Sequence, residues 1–178
     1  AFADVTSIVK KEGVGTYILS DLDLRKHLPR YCGGEFVGWS MVIVYKDLNI
    51  ENNLVGIYDG LEMLDGAQNP LAHIILDGFR ITNAANSKIA FLAWEGDEVI
   101  AVGEQLLIND KIVSNGLNPA NNAFNCTNTF SGSTELWNMD LDQYDLSSFV
   151  SVDDTSLDIK VTTAQDVILL NTVVLSVY

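Results

Sequence analysis

The hydrophobic positions of this chain fall in short runs separated by Gly, Asn and Asp, and they almost never repeat with helical spacing. Residues 37–45 (VGWSMVIVY) form a near-continuous apolar run, rich in β-branched and aromatic side chains. Such a run predicts a central strand covered on both faces. Residues 55–58 and 61–64 flank Asp59-Gly60, a dipeptide suited to the positive backbone angles of a tight hairpin. Residues 106–108 and 112–113 flank Asn109-Asp110-Lys111 in the same way, and residues 74–76 and 89–94 supply further strands. Leu157, Ile159 and Val161 alternate with Asp158, Lys160 and Thr162, the inside-outside period of a half-buried strand. Residues 167–178 make a last, apolar strand.

Only residues 20–27 carry helix signals, with Ser20 as the cap and Pro29 as the stop. The pattern therefore predicts an all-β fold: an antiparallel two-sheet sandwich, jelly-roll-like, of about nine to ten strands. A solenoid or propeller would need a repeated unit, and none is visible. One long polar connection, residues 115–133 (NGLNPANNAFNCTNTFSGS), interrupts the strands. Loops of this length usually carry function or join elements.

The chain has 178 residues, 48% of them hydrophobic, which is enough for one core. Residues 1–178 read as a single β-sandwich domain, with residues 1–11 as an extended N-terminal arm. Its 24 acidic residues against 10 basic ones give a formal charge of −14, leaving few bases to neutralise phosphates. Nucleic acid and anionic membrane surfaces are thus excluded as expected partners. No apolar run approaches the ~18 residues of a membrane span. The start at Ala1 lacks a basic-then-apolar leader, so the chain is expected to be processed or excerpted from a longer one.

Catalytic spacing is missing. The two histidines, His27 and His73, belong to no HExxH pair, and neither a GxSxG elbow nor a phosphate-binding glycine loop occurs. The expectation is that the protein is not an enzyme. Glu95 and Asp97 lie in AWEGD, where a strand gives way to a glycine turn, and turn chemistry accounts for them. Asp140, Asp142 and Asp145 are the carboxylates from which calcium could draw oxygen ligands, although their spacing lacks the glycine and glutamate of an EF-hand. The alternative is a solvated acidic surface. No other cofactor is expected.

Cys32 and Cys126 have no CxxC spacing, so a zinc site is not expected. They form either a disulfide or two thiols. Asn125-Cys126-Thr127 fits the N-glycosylation pattern, with a plain polar loop as the alternative. Trp39 and Trp94 fall in apolar strands and read as core, whereas Trp137, in STELWNMD, reads as an exposed aromatic.

Several segments together resemble a β-rich module of exported bacterial surface proteins, often placed ahead of immunoglobulin-like repeats. They are Gly38-Trp39, VIVYKD (42–47), GIYDG (56–60), DGF (77–79), AWEGD (93–97), LLIND (106–110) and NPANNAFN (118–125). The resemblance implies an extracellular module at a bacterial cell or spore surface, with no catalytic residues to carry over. The cysteines depart from the module's pattern, and that departure implies a covalent link, within one chain or between chains. If it joins chains, the protein is a fibre subunit such as those of spore appendages.

The chain ends fit that reading. Phe2, Val5 and Ile8 in the arm, and Val173, Leu175 and Val177 in the last strand, are candidate assembly strands, because an unpaired edge is a template for a strand of another chain. The alternative is that both termini pair within their own sandwich. The expected function is a structural, self-assembling subunit of an extracellular surface fibre or appendage, with copies of itself as main partner. The alternative function is an adhesin-like module recognising glycan or another surface protein through Asn118, Asn121, Asn122, Asn125 and Trp137.

Overall fold

The structure, a computed structural model, describes residues 2–23, 37–49 and 51–178. The chain separates into two compact units, Ala1–Ser40 and Met41–Tyr178.

In the first unit, helix α1 (Thr6–Glu12) occupies part of the stretch expected to be an extended arm. Asp4 Oδ1 accepts the Thr6 N–H at 2.8 Å, satisfying one of the donors left open at a helix start. Lys10 and Lys11 fall in the last turn, where cations complement the helix dipole, and Gly13 ends the helix at φ 66°. Phe2, Val5 and Ile8 are therefore not strand residues, and α1 buries no side chain. Ser20 begins no helix in residues 20–23, and the rest of that expected helix lies outside the described residues.

The second unit holds eight strands: β1 (Leu54–Asp65), β2 (Leu71–Asp77), β3 (Lys88–Trp94), β4 (Gln105–Ile108), β5 (Lys111–Ile112), β6 (Met139–Asp145), β7 (Ser156–Thr162) and β8 (Val167–Val177). They form two four-stranded sheets, β1-β8-β3-β6 and β2-β7-β4-β5, with every pair antiparallel. The all-β sandwich is thus observed, with eight strands where about nine to ten are expected.

Two local differences account for the lower count. First, residues 55–64 are one strand and not a hairpin. The register along β8 slips between Asp59 and Glu62, and Asn171 Nδ2 donates to Gly60 O at 3.0 Å, so the Asp59-Gly60 dipeptide is absorbed as a bulge. Second, residues 37–45 belong to no strand, and Val37, Trp39, Val42, Ile43, Val44 and Tyr45 are exposed. The central slots are already filled, because β8 pairs with β1 and β3 and β7 pairs with β2 and β4. The β4–β5 hairpin forms as expected, with Asn109 (φ 48°) and Asp110 (φ 61°) as a two-residue turn.

The core is built from the inward faces of both sheets. Ile89, Phe91 and Ala93 of β3 and Leu175 of β8 meet Leu106 and Ile108 of β4 and Leu157, Ile159 and Val161 of β7 in one buried cluster. Strict alternation in β7 places its three apolar residues inside, as the sequence predicts. Val173, Leu175 and Val177 are 3%, 0% and 1% exposed in a strand paired on both sides. They are core residues of their own sandwich and offer no free edge. Among the described residues no helix is long and apolar enough to cross a membrane.

Candidate functional site

Polar residues converge at one place inside the sandwich, beneath the long connection 115–133. Glu104 lies just before β4, Asp140 and Asp142 point inward from β6 at the strand period of two, and Asp166 precedes β8. All four are buried, with Glu104, Asp140 and Asp142 at 0% exposure. Burying a carboxyl group is costly unless it is hydrogen-bonded, and here the loop supplies the donors. Glu104 Oε1 accepts the Phe124 N–H, and Asp140 Oδ1 accepts Asn125 N–H at 2.8 Å and Thr127 N–H at 3.0 Å. Asp142 accepts from Thr129 N–H at 3.2 Å and from Asn118 Nδ2 at 3.0 Å.

Phe124 adds an apolar anchor. Its ring is fully buried and meets Phe91 edge-on, with centroids 6.5 Å apart. The sequence Phe124–Thr127 is thereby pinned from below by an aromatic contact and from the side by carboxyl oxygens. Gly96 permits the close approach, since a Cβ there would stand 2.4 Å from Phe124 O and 2.5 Å from Asp140 Oδ2.

Electrostatics in the cluster run against ionisation. Burial pushes Glu104 up to about 9, with smaller pushes from Asp166 and Asp140, against the hydrogen bond from Phe124. Burial likewise raises Asp140 to about 7 and Asp142 to about 6, while loop N–H donors hold both down. Asp166 is raised by burial and by the charge of Asp97. Four buried oxygens, Glu104 Oε2, Asp140 Oδ2, Asn118 Oδ1 and Asn122 Oδ1, have no hydrogen-bond partner in the protein.

The carboxylates weighed for calcium divide. Asp140 and Asp142 share the inner face, whereas Asp145 lies on the opposite, exposed face of β6 and accepts the Ser147 N–H at 2.8 Å. Among the described residues no group of three or more Asp, Glu, His or Cys side chains could hold a metal ion. Glu104 and Asp166 are the members that pattern reading misses; Gly103-Glu104 and Gln165-Asp166 look like ordinary turns in sequence, and only the fold brings them together.

The proposed ligand loop also divides. Asn118, Asn122 and Asn125 are buried and act as loop scaffolding, with Asn122 Nδ2 donating to Asp97 O and Glu98 O and Asn125 Nδ2 to Leu117 O. Burial of Asn125 leaves its glycosylation pattern unavailable in this fold. Asn121 and Trp137 are exposed, Trp137 at 85%. Trp94 is half-buried and Trp39 is 51% exposed. Cys126 is a free, half-buried thiol donating to Gly96 O at 2.9 Å, and burial raises its pKa. A raised thiol pKa disfavours the thiolate that disulfide chemistry requires. Cys32 lies outside the described residues.

A second feature lies at one side of the sandwich. Strand β1 pairs only with β8 and β2 only with β7, so each is the outer strand of its sheet. Leu54, Val55, Ile57, Leu61 and Met63 of β1, and Leu71 and Ile75 of β2, are exposed there. A groove runs between the strands, lined by Leu61, Glu62, Leu71, His73 and Ile74. Natural edges are blunted by short length, Lys and other charges, Pro or a bulge; the twelve residues of β1 include neither Lys nor Pro but carry the Asp59-Gly60 bulge and three carboxylates. Compared with known proteins, the chain matches no family model, and no curated protein matches it.

Proposed function

We propose that the protein is a structural, self-assembling subunit of an extracellular bacterial surface fibre or appendage. The observation that carries this reading is the long outer strand β1, whose Leu54, Val55, Ile57, Leu61 and Met63 are exposed beside the exposed apolar positions of β2. An edge of this kind offers N–H and C=O groups to a strand of another copy. The likeness of the sequence to exported surface modules supports the location. The strand order β1-β8-β3-β6 over β2-β7-β4-β5 supports a jelly-roll reading of the sandwich. No catalytic role is assigned.

Charge narrows how copies join. Residues 51–178 hold eighteen acidic and four basic residues, the whole formal −14, while residues 1–50 hold six of each. Two sandwiches repel, so the joining surface has to be apolar and hydrogen-bonded, as the β1 edge is. The test is light scattering and electron microscopy of the protein against Ile57→Lys and Leu61→Lys, which place cations on that edge. Wild-type protein is expected to form concentration-dependent oligomers or fibres, and the variants to remain monomeric with unchanged melting. Fibres of normal appearance from both variants would sink the edge-joining reading.

Exposure of Trp137 favours a second reading, an adhesin-like module in which that ring stacks on a sugar or packs on a surface protein. A monodisperse monomer that binds a glycan array, with binding lost in Trp137→Ala, would support it over the first.

A further inference from the structure

We infer that residues 41–46 (MVIVYK) are the strand that fills the β1 edge, supplied by a second copy of the chain, so that copies add head to tail. This rests on the reading of β1 as the joining edge and names what joins it. The segment has the composition of a strand, rich in β-branched and aromatic side chains, yet it belongs to none. Val42, Ile43, Val44 and Tyr45 are exposed, and no described residue bonds to the segment's backbone.

The sandwich is open on the side where β1 and β2 lie. Leu54 stands opposite Val177 and so faces inward, yet it is 46% exposed; Ile74 of β2, opposite the buried Ile159, is only half-buried. The other outer strand of the β1 sheet, β6, has its edge taken by the long loop: Leu141 N–H donates to Thr127 O at 3.0 Å, and Thr129 N–H to Leu141 O at 3.2 Å. On β1 only the far end is taken. Asp65 N–H donates to Asn69 O at 3.0 Å, Asn69 Nδ2 to Met63 O at 2.7 Å, and Asn171 Nδ2 to Gly60 O. Among the described residues, the outer backbone groups of residues 54–59 are left open, a stretch as long as the donor. Leu54 and Tyr58 face inward there and Val55 and Ile57 outward, so an added strand with two apolar faces, as 41–46 has, matches it on both.

Topology and charge point to a second copy. Two β1 edges pairing with each other would close at two copies and set Asp59, Glu62 and Asp65 of one against those of the other. A donor and an edge on the same chain leave one of each free after every addition, so growth continues. Residues 41–46 hold Lys46 and no acid, whereas β1 holds three acids and no base. Laid parallel, with Met41 beside Leu54, the donor sets Lys46 beside Asp59; one exposed pair of this kind orients the strand more than it tightens it. The chain's own segment cannot reach that arrangement. Only residues 47–53 separate it from β1, and a parallel pair within one chain needs a crossover of about a dozen residues or more.

Two variants at exposed positions separate the halves of the joint. Ile43→Pro spoils the donor and leaves the edge, because proline cannot donate to a ladder; Ile57→Lys spoils the edge and leaves the donor. In sedimentation velocity each alone is expected to stay monomeric at concentrations where the wild type associates. Mixed, they are expected to form a particle of two copies that grows no further. Melting of each variant checks its fold, and Ile43→Asp serves if the proline variant melts early. Association of Ile43→Pro like the wild type, with Ile57→Lys monomeric, overturns the donor and leaves the edge reading standing; association of Ile57→Lys like the wild type overturns both. A mixture that stays monomeric overturns the donor as well. So does a monomeric wild type whose amides at residues 42–44 are protected from hydrogen exchange, because its own segment then covers the edge.

Discussion

Gly96 and Asp140 approach so closely that a Cβ on the glycine would stand 2.5 Å from Oδ2 of the aspartate. On its other side that Cβ would meet the carbonyl of Phe124 at 2.4 Å, and neither neighbour can swing away. Asp140 is fixed by two loop N–H groups, and Phe124 is wedged against Phe91. Gly96→Ala is accordingly expected to cost about 1–3 kcal/mol, the range for overpacking a filled interior. Its backbone angle is not in the left-handed region, so the cost is contact and not torsion. A urea titration followed by tryptophan fluorescence measures it, and an unchanged midpoint would mean that the loop moves more freely than this packing implies.

Asp140 itself anchors the loop at two donors, the N–H groups of Asn125 and Thr127. Removing its carboxyl in Asp140→Ala leaves Asn125 N–H and Thr127 N–H buried and unpaired. An unsatisfied buried donor costs about 1–3 kcal/mol. The alanine variant is expected to lose at least that much stability, whereas Asp140→Asn, which keeps the accepting oxygen, is expected to lose less. Calorimetric melting of the two variants side by side checks the order; equal losses would mean that charge, and not hydrogen bonding, is what Asp140 supplies.

Much of the sandwich is legible from local pattern alone. Period-two alternation locates β7, and the Asn109-Asp110 pair locates the β4–β5 turn, because both signals are set by neighbours in sequence. What fails is whatever depends on a distant partner. The Asp59-Gly60 signal is valid for a hairpin, yet the continuous ladder of β8 overrides it and makes a bulge. The apolar run at 37–45 has the composition of a central strand, yet it forms no strand, and the inner positions of the two sheets are held by β8 and β3 and by β7 and β4. The carboxyl cluster is not legible: no strand is expected at residues 139–145, where Asp140, Asp142 and Asp145 read as one acidic group, and Glu104 and Asp166 are about 60 residues apart in sequence and come near it only through the fold.

Asn109 links the hairpin turn to the neighbouring strand. Its Nδ2 donates to Phe149 O at 3.0 Å, its Oδ1 accepts Asp158 N–H at 3.0 Å, and its φ of 48° lies where Asn is tolerated. Asn109→Gly keeps the backbone conformation and removes both side-chain bonds, so a loss of about 1–3 kcal/mol is expected. Asn109→Ala adds the strain of a left-handed alanine, a further ~1–2 kcal/mol. The comparison by chemical denaturation separates the two contributions; a glycine variant as stable as wild type would assign the turn's stability to backbone conformation alone.

Self-association through β1 should depend on salt in the direction opposite to an ion-paired interface. The approaching sandwiches each carry the formal −14 of residues 51–178, of which Asp59, Glu62 and Asp65 lie on β1 itself. Repulsion between them acts over roughly 30 Å at 0.01 M salt and roughly 8 Å at 0.15 M. The apolar contact of Leu54, Ile57, Leu61 and Met63 is short-ranged and is not screened. Sedimentation at a fixed protein concentration is therefore expected to show monomer at low ionic strength and growing oligomers as sodium chloride is added. An interface built from opposite charges would dissociate over the same titration. Neutralising the edge in Glu62→Gln should move the onset to lower salt, because one repelling charge per contact is gone. An onset unmoved by that change, with association still rising with salt, would relocate the joining surface away from β1.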